Sequence, residues 1–149
     1  MTYEEYLDKN GELTYTNRGI SMLPLLKQGR DVFTVIKKGA ERCKKYDVVL
    51  YRRPPESYVL HRIVEVRQDS YVLLGDNCLN KEYGITDDDI IGVMTRFVRK
   101  GKTHSTTEKG YQLYSRLIVH TYPIRRMLKL VKSRIGRFLK RVNIFHHGK

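Results

Sequence analysis

Three short stretches of the sequence carry side chains that could perform acyl-transfer chemistry. The first reads Gly-Ile-Ser-Met-Leu-Pro over residues 19–24 and places Ser21 between a glycine and a proline. A serine hydroxyl becomes a good nucleophile only when a neighbouring base takes its proton and amide donors stabilise the developing oxyanion. A tight loop would present the hydroxyl, so Ser21 is the candidate nucleophile. The alternative is an ordinary turn residue, because serine beside glycine is common in turns.

The second and third stretches could supply a base and a residue that orients it. His61 lies in an extended apolar pattern, and it faces the core if Val59 and Ile63 do, because side chains alternate across a strand. It is either a buried, hydrogen-bonded structural histidine or a general base, whose ordinary pKa of roughly 6.5 suits proton transfer near neutral pH. Asp76, in a Gly-Asp-Asn run, is either a turn residue or a residue that orients the site by hydrogen bonding.

The elements that must position these residues are mainly β-strands. A helix is expected over residues 2–9, because Thr2 and Glu5 have the spacing of a capping box and glycine follows at position 11. Runs rich in β-branched residues then predict strands over residues 32–36, 47–51, 58–66, 71–74 and 90–98. Short strands joined by tight polar turns favour an antiparallel meander, curled toward a barrel.

Six short motifs follow one another within residues 17–98. They are Ser21-Met22-Leu23-Pro24, Gly29-Arg30-Asp31, Asp47-Val48-Val49, Leu60-His61-Arg62-Ile63, Gly75-Asp76-Asn77 and Ile91-Gly92-Val93. Together they resemble the signal peptidase I and LexA-type serine peptidase superfamily. The resemblance implies a β-rich peptidase fold in which Ser21 attacks a peptide carbonyl. His61 stands where bacterial signal peptidases and LexA have lysine, as in the archaeal and endoplasmic-reticulum branch, which implies a Ser21–His61 dyad.

The sequence departs from this family in three places. The branch that uses histidine has an acidic residue a few positions after its Gly-Asp-Asn run, and the matching residue here is Glu82, so either Glu82 or Asp76 is expected to orient His61. Signal peptidases commonly have a serine two residues before the nucleophile, where this chain has Gly19, so the oxyanion hole would depend on backbone amides such as that of Ser21. No apolar membrane span precedes the serine, which disfavours secretory processing.

The positive charge is concentrated at the carboxyl end. The chain has a net charge of +13, and residues 111–149 contain six arginines, four lysines and no acidic residue. Apolar residues recur there at helical spacing, at Ile124, Met127, Leu128, Val131, Ile135, Phe138, Leu139 and Val142. Three interpretations are open: a helix that packs on the domain, a helix that lies on anionic lipid, and non-specific nucleic-acid binding. We therefore divide the chain into a β domain (1–99), a linker (100–110) and a basic amphipathic helical tail (111–149).

These patterns predict a serine endopeptidase that cleaves a peptide or protein precursor. It would act in the cytoplasm or at the inner face of the membrane. The start of the chain has no signal-peptide pattern. The two cysteines lack metal spacing and are expected to be reduced. No cofactor, no metal and no specific nucleic acid are expected. The alternative is a non-catalytic binding module whose basic tail associates with anionic lipid or nucleic acid. A self-cleaving regulator of the LexA kind is disfavoured, because only about twenty residues precede Ser21 and they contain no helix-turn-helix pattern.

Overall fold

A computed structural model describes residues 1–55 and 57–146, with side chains as far as residue 141. Over these residues the chain forms eight strands and three helices. In chain order they are α1 (Tyr3–Asn10), β1 (Glu12–Thr16), β2 (Val32–Lys37), β3 (Val48–Arg53), β4 (Ser57–Val66), β5 (Tyr71–Leu74), β6 (Glu82–Ile85), β7 (Ile90–Arg99), β8 (Lys102–Ser105), α2 (Lys109–His120) and α3 (Tyr122–His146). The predicted tail extends to residue 149, and residues 147–149 lie outside the described part.

The strands form one open antiparallel sheet, which confirms the predicted mainly antiparallel β architecture. The order across the sheet is β1-β2-β7-β3-β4-β5-β6, and β8 pairs with the far end of β7. Only β3 to β6 follow each other as a meander, because β7 returns to lie between β2 and β3. The sheet also remains open, with β1 and β6 at its edges, instead of closing into the predicted barrel. The segment 100–110, predicted as a linker, instead contains β8 and the start of α2.

Both faces of the sheet are buried, and this follows from the alternation of side chains along each strand. In β3, Val48 and Leu50 belong to one apolar cluster, whereas Val49 and Tyr51 belong to another. The first cluster is completed by α1, through Leu7, and by residues of the loop after β1. The central strands are therefore fixed from both sides, which makes them a rigid base for a site.

The chain divides into two compact units, Met1–Val119 and His120–Lys149. The first unit contains the sheet, α1 and nearly all of α2. The second contains α3, the basic amphipathic helix that the apolar spacing predicts. No helix within the described residues has both the length and the apolar character needed to cross a membrane.

Candidate active site

Ser21 lies in a turn that is anchored by its neighbours. Met22 and Leu26 are fully buried in the apolar core, whereas Ile20 is 66% exposed and Ser21 is half-buried. Gly19 begins the turn at φ 73°, a left-handed conformation that glycine adopts without strain, and its amide donates to the side-chain oxygen of Gln28 at 2.7 Å. The buried side chains after the serine thus fix the turn and leave Ser21 at the surface of a cleft.

His61 lies in the middle of β4, directly opposite Val49 of β3. It is 4% exposed and shares its face of the sheet with Ile63, as alternation predicted. Its Nδ1 atom lies 3.2 Å from the hydroxyl oxygen of Tyr51 and 3.2 Å from Oε1 of Glu82. The Tyr51 hydroxyl donates its own proton to Oε2 of Glu82 at 2.8 Å. Both neighbours therefore offer acceptors, which favours the tautomer with a proton on Nδ1 and a lone pair on Nε2.

Burial keeps the imidazole neutral, whereas the nearby charge of Glu82 favours its protonated form. Burial lowers the pKa of His61, and the negative charge of Glu82 acts in the opposite direction. Burial would raise the pKa of Glu82, but hydrogen bonds from Arg53 and Tyr51 outweigh this effect and lower it, so the carboxylate is ionised. Arg53 donates to both oxygens of Glu82. A neutral imidazole backed by an ionised carboxylate is the arrangement that a general base requires.

The Gly-Asp-Asn turn after β5 holds the serine turn against the histidine. The amide of Asn77 donates to the carbonyl oxygen of Ser21 at 2.8 Å, and its side chain donates to the carbonyl oxygen of Ile20 at 3.1 Å. A Cβ atom on Gly75 would lie 2.8 Å from the Ser21 carbonyl oxygen and 2.9 Å from His61 Nε2. The carbonyl oxygen of Ser21 and Nε2 of His61 therefore both lie against Gly75, and only glycine leaves room for them.

Asp76 forms a buried ion pair with Arg62. Its carboxylate accepts two hydrogen bonds of 2.8 Å from Arg62 and a third of 2.8 Å from the hydroxyl of Tyr114. Arg62 also donates to the hydroxyl of Ser115 at 2.7 Å. The two carboxylates proposed to orient His61 thus have different surroundings. Glu82 contacts the imidazole, and Asp76 joins β4 to α2.

A cleft of about 610 Å³ opens beside these residues. Ser21, His61 and Glu82 all line it, and it extends over an apolar and aromatic wall formed by Tyr3, Leu13, Tyr15, Phe33, Leu50 and Tyr58. Residues of both edge strands take part, with Leu13, Tyr15 and Thr16 from β1 and Glu82 from β6. The cleft therefore brings the candidate nucleophile and the candidate base together with residues of both edge strands.

Three residues of the site were not expected from the sequence. Tyr51 and Arg53 hold Glu82, and Cys78 brings its sulfur 3.9 Å from Nε2 of His61. Tyr51 could have been found from strand register, because it lies two residues after Val49 and so on the face of His61. Arg53 and Cys78 gave no such signal.

Comparisons of the chain with protein-family models, with curated proteins and with solved structures found no match.

Proposed function

We propose that this protein is a serine endopeptidase of the signal-peptidase-like class, with Ser21 as nucleophile and His61 as general base. The observation that carries the proposal is that the two ring nitrogens of His61 have different surroundings. Its Nδ1 atom lies 3.2 Å from Glu82 and from Tyr51, whereas its Nε2 atom lies beside Gly75 and the sulfur of Cys78. Ser21 and His61 line the same cleft. A buried histidine that lines a cleft and has an ionised carboxylate at one nitrogen is typical of a functional site.

In this mechanism the Ser21 hydroxyl attacks the carbonyl carbon of a peptide bond, and its proton passes to Nε2 of His61. The carbonyl oxygen becomes an oxyanion, which backbone amides such as that of Ser21 stabilise. Collapse of the tetrahedral intermediate breaks the carbon–nitrogen bond, and Nε2 returns the proton to the leaving amine. Water then attacks the acyl-enzyme: Nε2 takes a proton from the water and passes it to the Ser21 oxygen as the ester bond breaks and the carboxylic acid product leaves. Glu82 stabilises the imidazolium that forms in each half of the reaction.

The substrate is expected to bind as an extended strand. An extended peptide can pair with an exposed strand edge, and residues of the edge strands β1 and β6 line the cleft. By its resemblance to signal peptidases, the pocket before the scissile bond would favour small side chains. We place the activity in the cytoplasm or at the inner membrane face, because both cysteines are thiols in this structure, as is usual in a reducing compartment.

The test is labelling by a fluorophosphonate probe, followed by tryptic mapping of the labelled peptide. The unmodified protein is expected to be labelled at Ser21, and Ser21→Ala and His61→Ala to lose labelling. Cys78→Ala is the matched control, because this thiol also contacts His61 and could be the group that the imidazole activates. Retained labelling of Cys78→Ala supports the serine mechanism. Equal labelling of all four proteins, or a label that maps to Cys78, refutes it.

A further inference from the structure

The helix α3 has an apolar face that is exposed. Seven large apolar side chains on it are each about half exposed or more: Ile124, Met127, Leu128, Val131, Ile135, Phe138 and Leu139. At 3.6 residues per turn these seven fall within an arc of about 120° of the helix surface. A helix of a globular protein normally buries such an arc, so this face requires an apolar surface outside its own compact unit.

The charges of α3 indicate what that partner is. Between residues 122 and 146 the chain has five arginines, three lysines and no acidic residue. On a helical projection Lys132 and Arg134 lie at the two margins of the apolar arc, and the remaining cations cover the opposite face. Cations at the margins can extend their chains outward and place their charges beside phosphates while the apolar arc enters the acyl region.

We propose that α3 binds the surface of an anionic lipid bilayer, lying in the interface plane with its apolar arc inserted. A nucleic acid would contact the cations and leave the apolar arc in water. A second copy of the helix would cover the arc but would bring eight like charges per chain together. A bilayer with anionic headgroups satisfies both features at once. This inference is independent of the proposed peptidase activity, whose candidate residues all lie in the first compact unit of the chain.

The experiment is co-sedimentation of the full-length protein with vesicles of phosphatidylcholine, with or without phosphatidylglycerol. Two variants introduce the same carboxylate on opposite faces of α3. Val131→Glu changes the centre of the apolar arc, and Ser133→Glu changes the opposite, polar face. Val131→Glu is expected to weaken binding to the anionic vesicles by about tenfold or more, because a buried valine is lost from the lipid phase. Ser133→Glu is expected to retain most of the binding.

The outcomes separate the alternatives. Binding to anionic vesicles that Val131→Glu abolishes and Ser133→Glu preserves supports the proposal. Equal loss in both variants means that charge alone drives binding, and tighter binding to an oligonucleotide than to vesicles means that nucleic acid is the partner. A molecular mass in solution that shows a dimer, reduced to a monomer by Val131→Glu, means that a second copy covers the arc. Each of these three results overturns the proposal, as does an absence of vesicle binding by the unmodified protein. Circular dichroism of both variants verifies that they fold.

Discussion

Replacement of Gly75 by alanine tests whether close packing holds the serine and the histidine together. The new methyl group would lie 2.6 Å from the Cys78 sulfur, 2.8 Å from the Ser21 carbonyl oxygen and 2.9 Å from His61 Nε2. The sulfur can rotate away, but the carbonyl belongs to a backbone that Asn77 holds by hydrogen bonds. Overpacking of this kind costs about 1–3 kcal/mol. For a unit of this size that corresponds to a fall in melting temperature of roughly 4–15 °C.

The same substitution should reduce activity more than the lost stability explains. Relief of the contact requires the Ser21 turn to move away from His61, and a displacement of about 1 Å in an active site can cost roughly 100-fold in rate. The assay is the rate of acylation by the fluorophosphonate probe, measured well below the melting temperature. Gly39→Ala is the control, because Gly39 has no neighbour within 4 Å of a Cβ atom and no positive φ, so alanine there is expected to be neutral or slightly stabilising. A Gly75→Ala protein that melts and reacts like the unmodified one would show that the two turns are not held in this way.

Two further predictions concern the carboxylates. Burial lowers the pKa of His61, and the charge of Glu82 raises it. Glu82→Gln should therefore slow acylation by the probe and move the acid limb of the pH profile of acylation to lower pH. An acid limb at the same or a higher pH contradicts the role of Glu82 as the partner of His61. Asp76→Asn should destabilise the protein by about 3–5 kcal/mol, because it leaves the buried guanidinium of Arg62 without a counter-charge. Denaturant unfolding measures this loss, and Glu65→Gln, which removes an exposed carboxylate, should change stability by less than about 1 kcal/mol.

The parts of the fold that depend on residues close together in the sequence could be predicted from it. Thr2 and Glu5 form the expected capping box, and Gly11 ends α1 in the left-handed conformation. The strands with β-branched runs also appear where they were predicted. The strands β6 and β8 were missed because they are short and carry polar or exposed residues, so no alternating pattern marks them. Their existence depends on pairing with β5 and β7, which a local pattern does not contain.

The site shows the same division between local and distant information. The sequence motifs located Ser21 and His61, and the resemblance supplied Glu82. They left the choice between the two carboxylates open, because that choice depends on contacts between distant strands. Tyr51 and Glu82 are 31 positions apart, and their hydrogen bond forms only because β3 and β6 approach one end of the cleft. The burial of Asp76 against Tyr114 depends in addition on the position of α2.

The adjacent residues His61 and Arg62 explain why the strand that carries His61 and the turn that carries Ser21 form one structure. They point to opposite faces of β4, so the strand presents the imidazole to the cleft and the guanidinium to the network with α2. Arg62 fixes Asp76, and the residues on either side of Asp76 are those that contact the serine turn and the imidazole. The candidate base and the candidate nucleophile are therefore positioned from the same strand, one directly and the other through the Gly-Asp-Asn turn. Because Tyr114 and Ser115 complete the buried ion pair, α2 belongs structurally to the unit that holds the candidate site, which accords with a compact unit that extends to Val119.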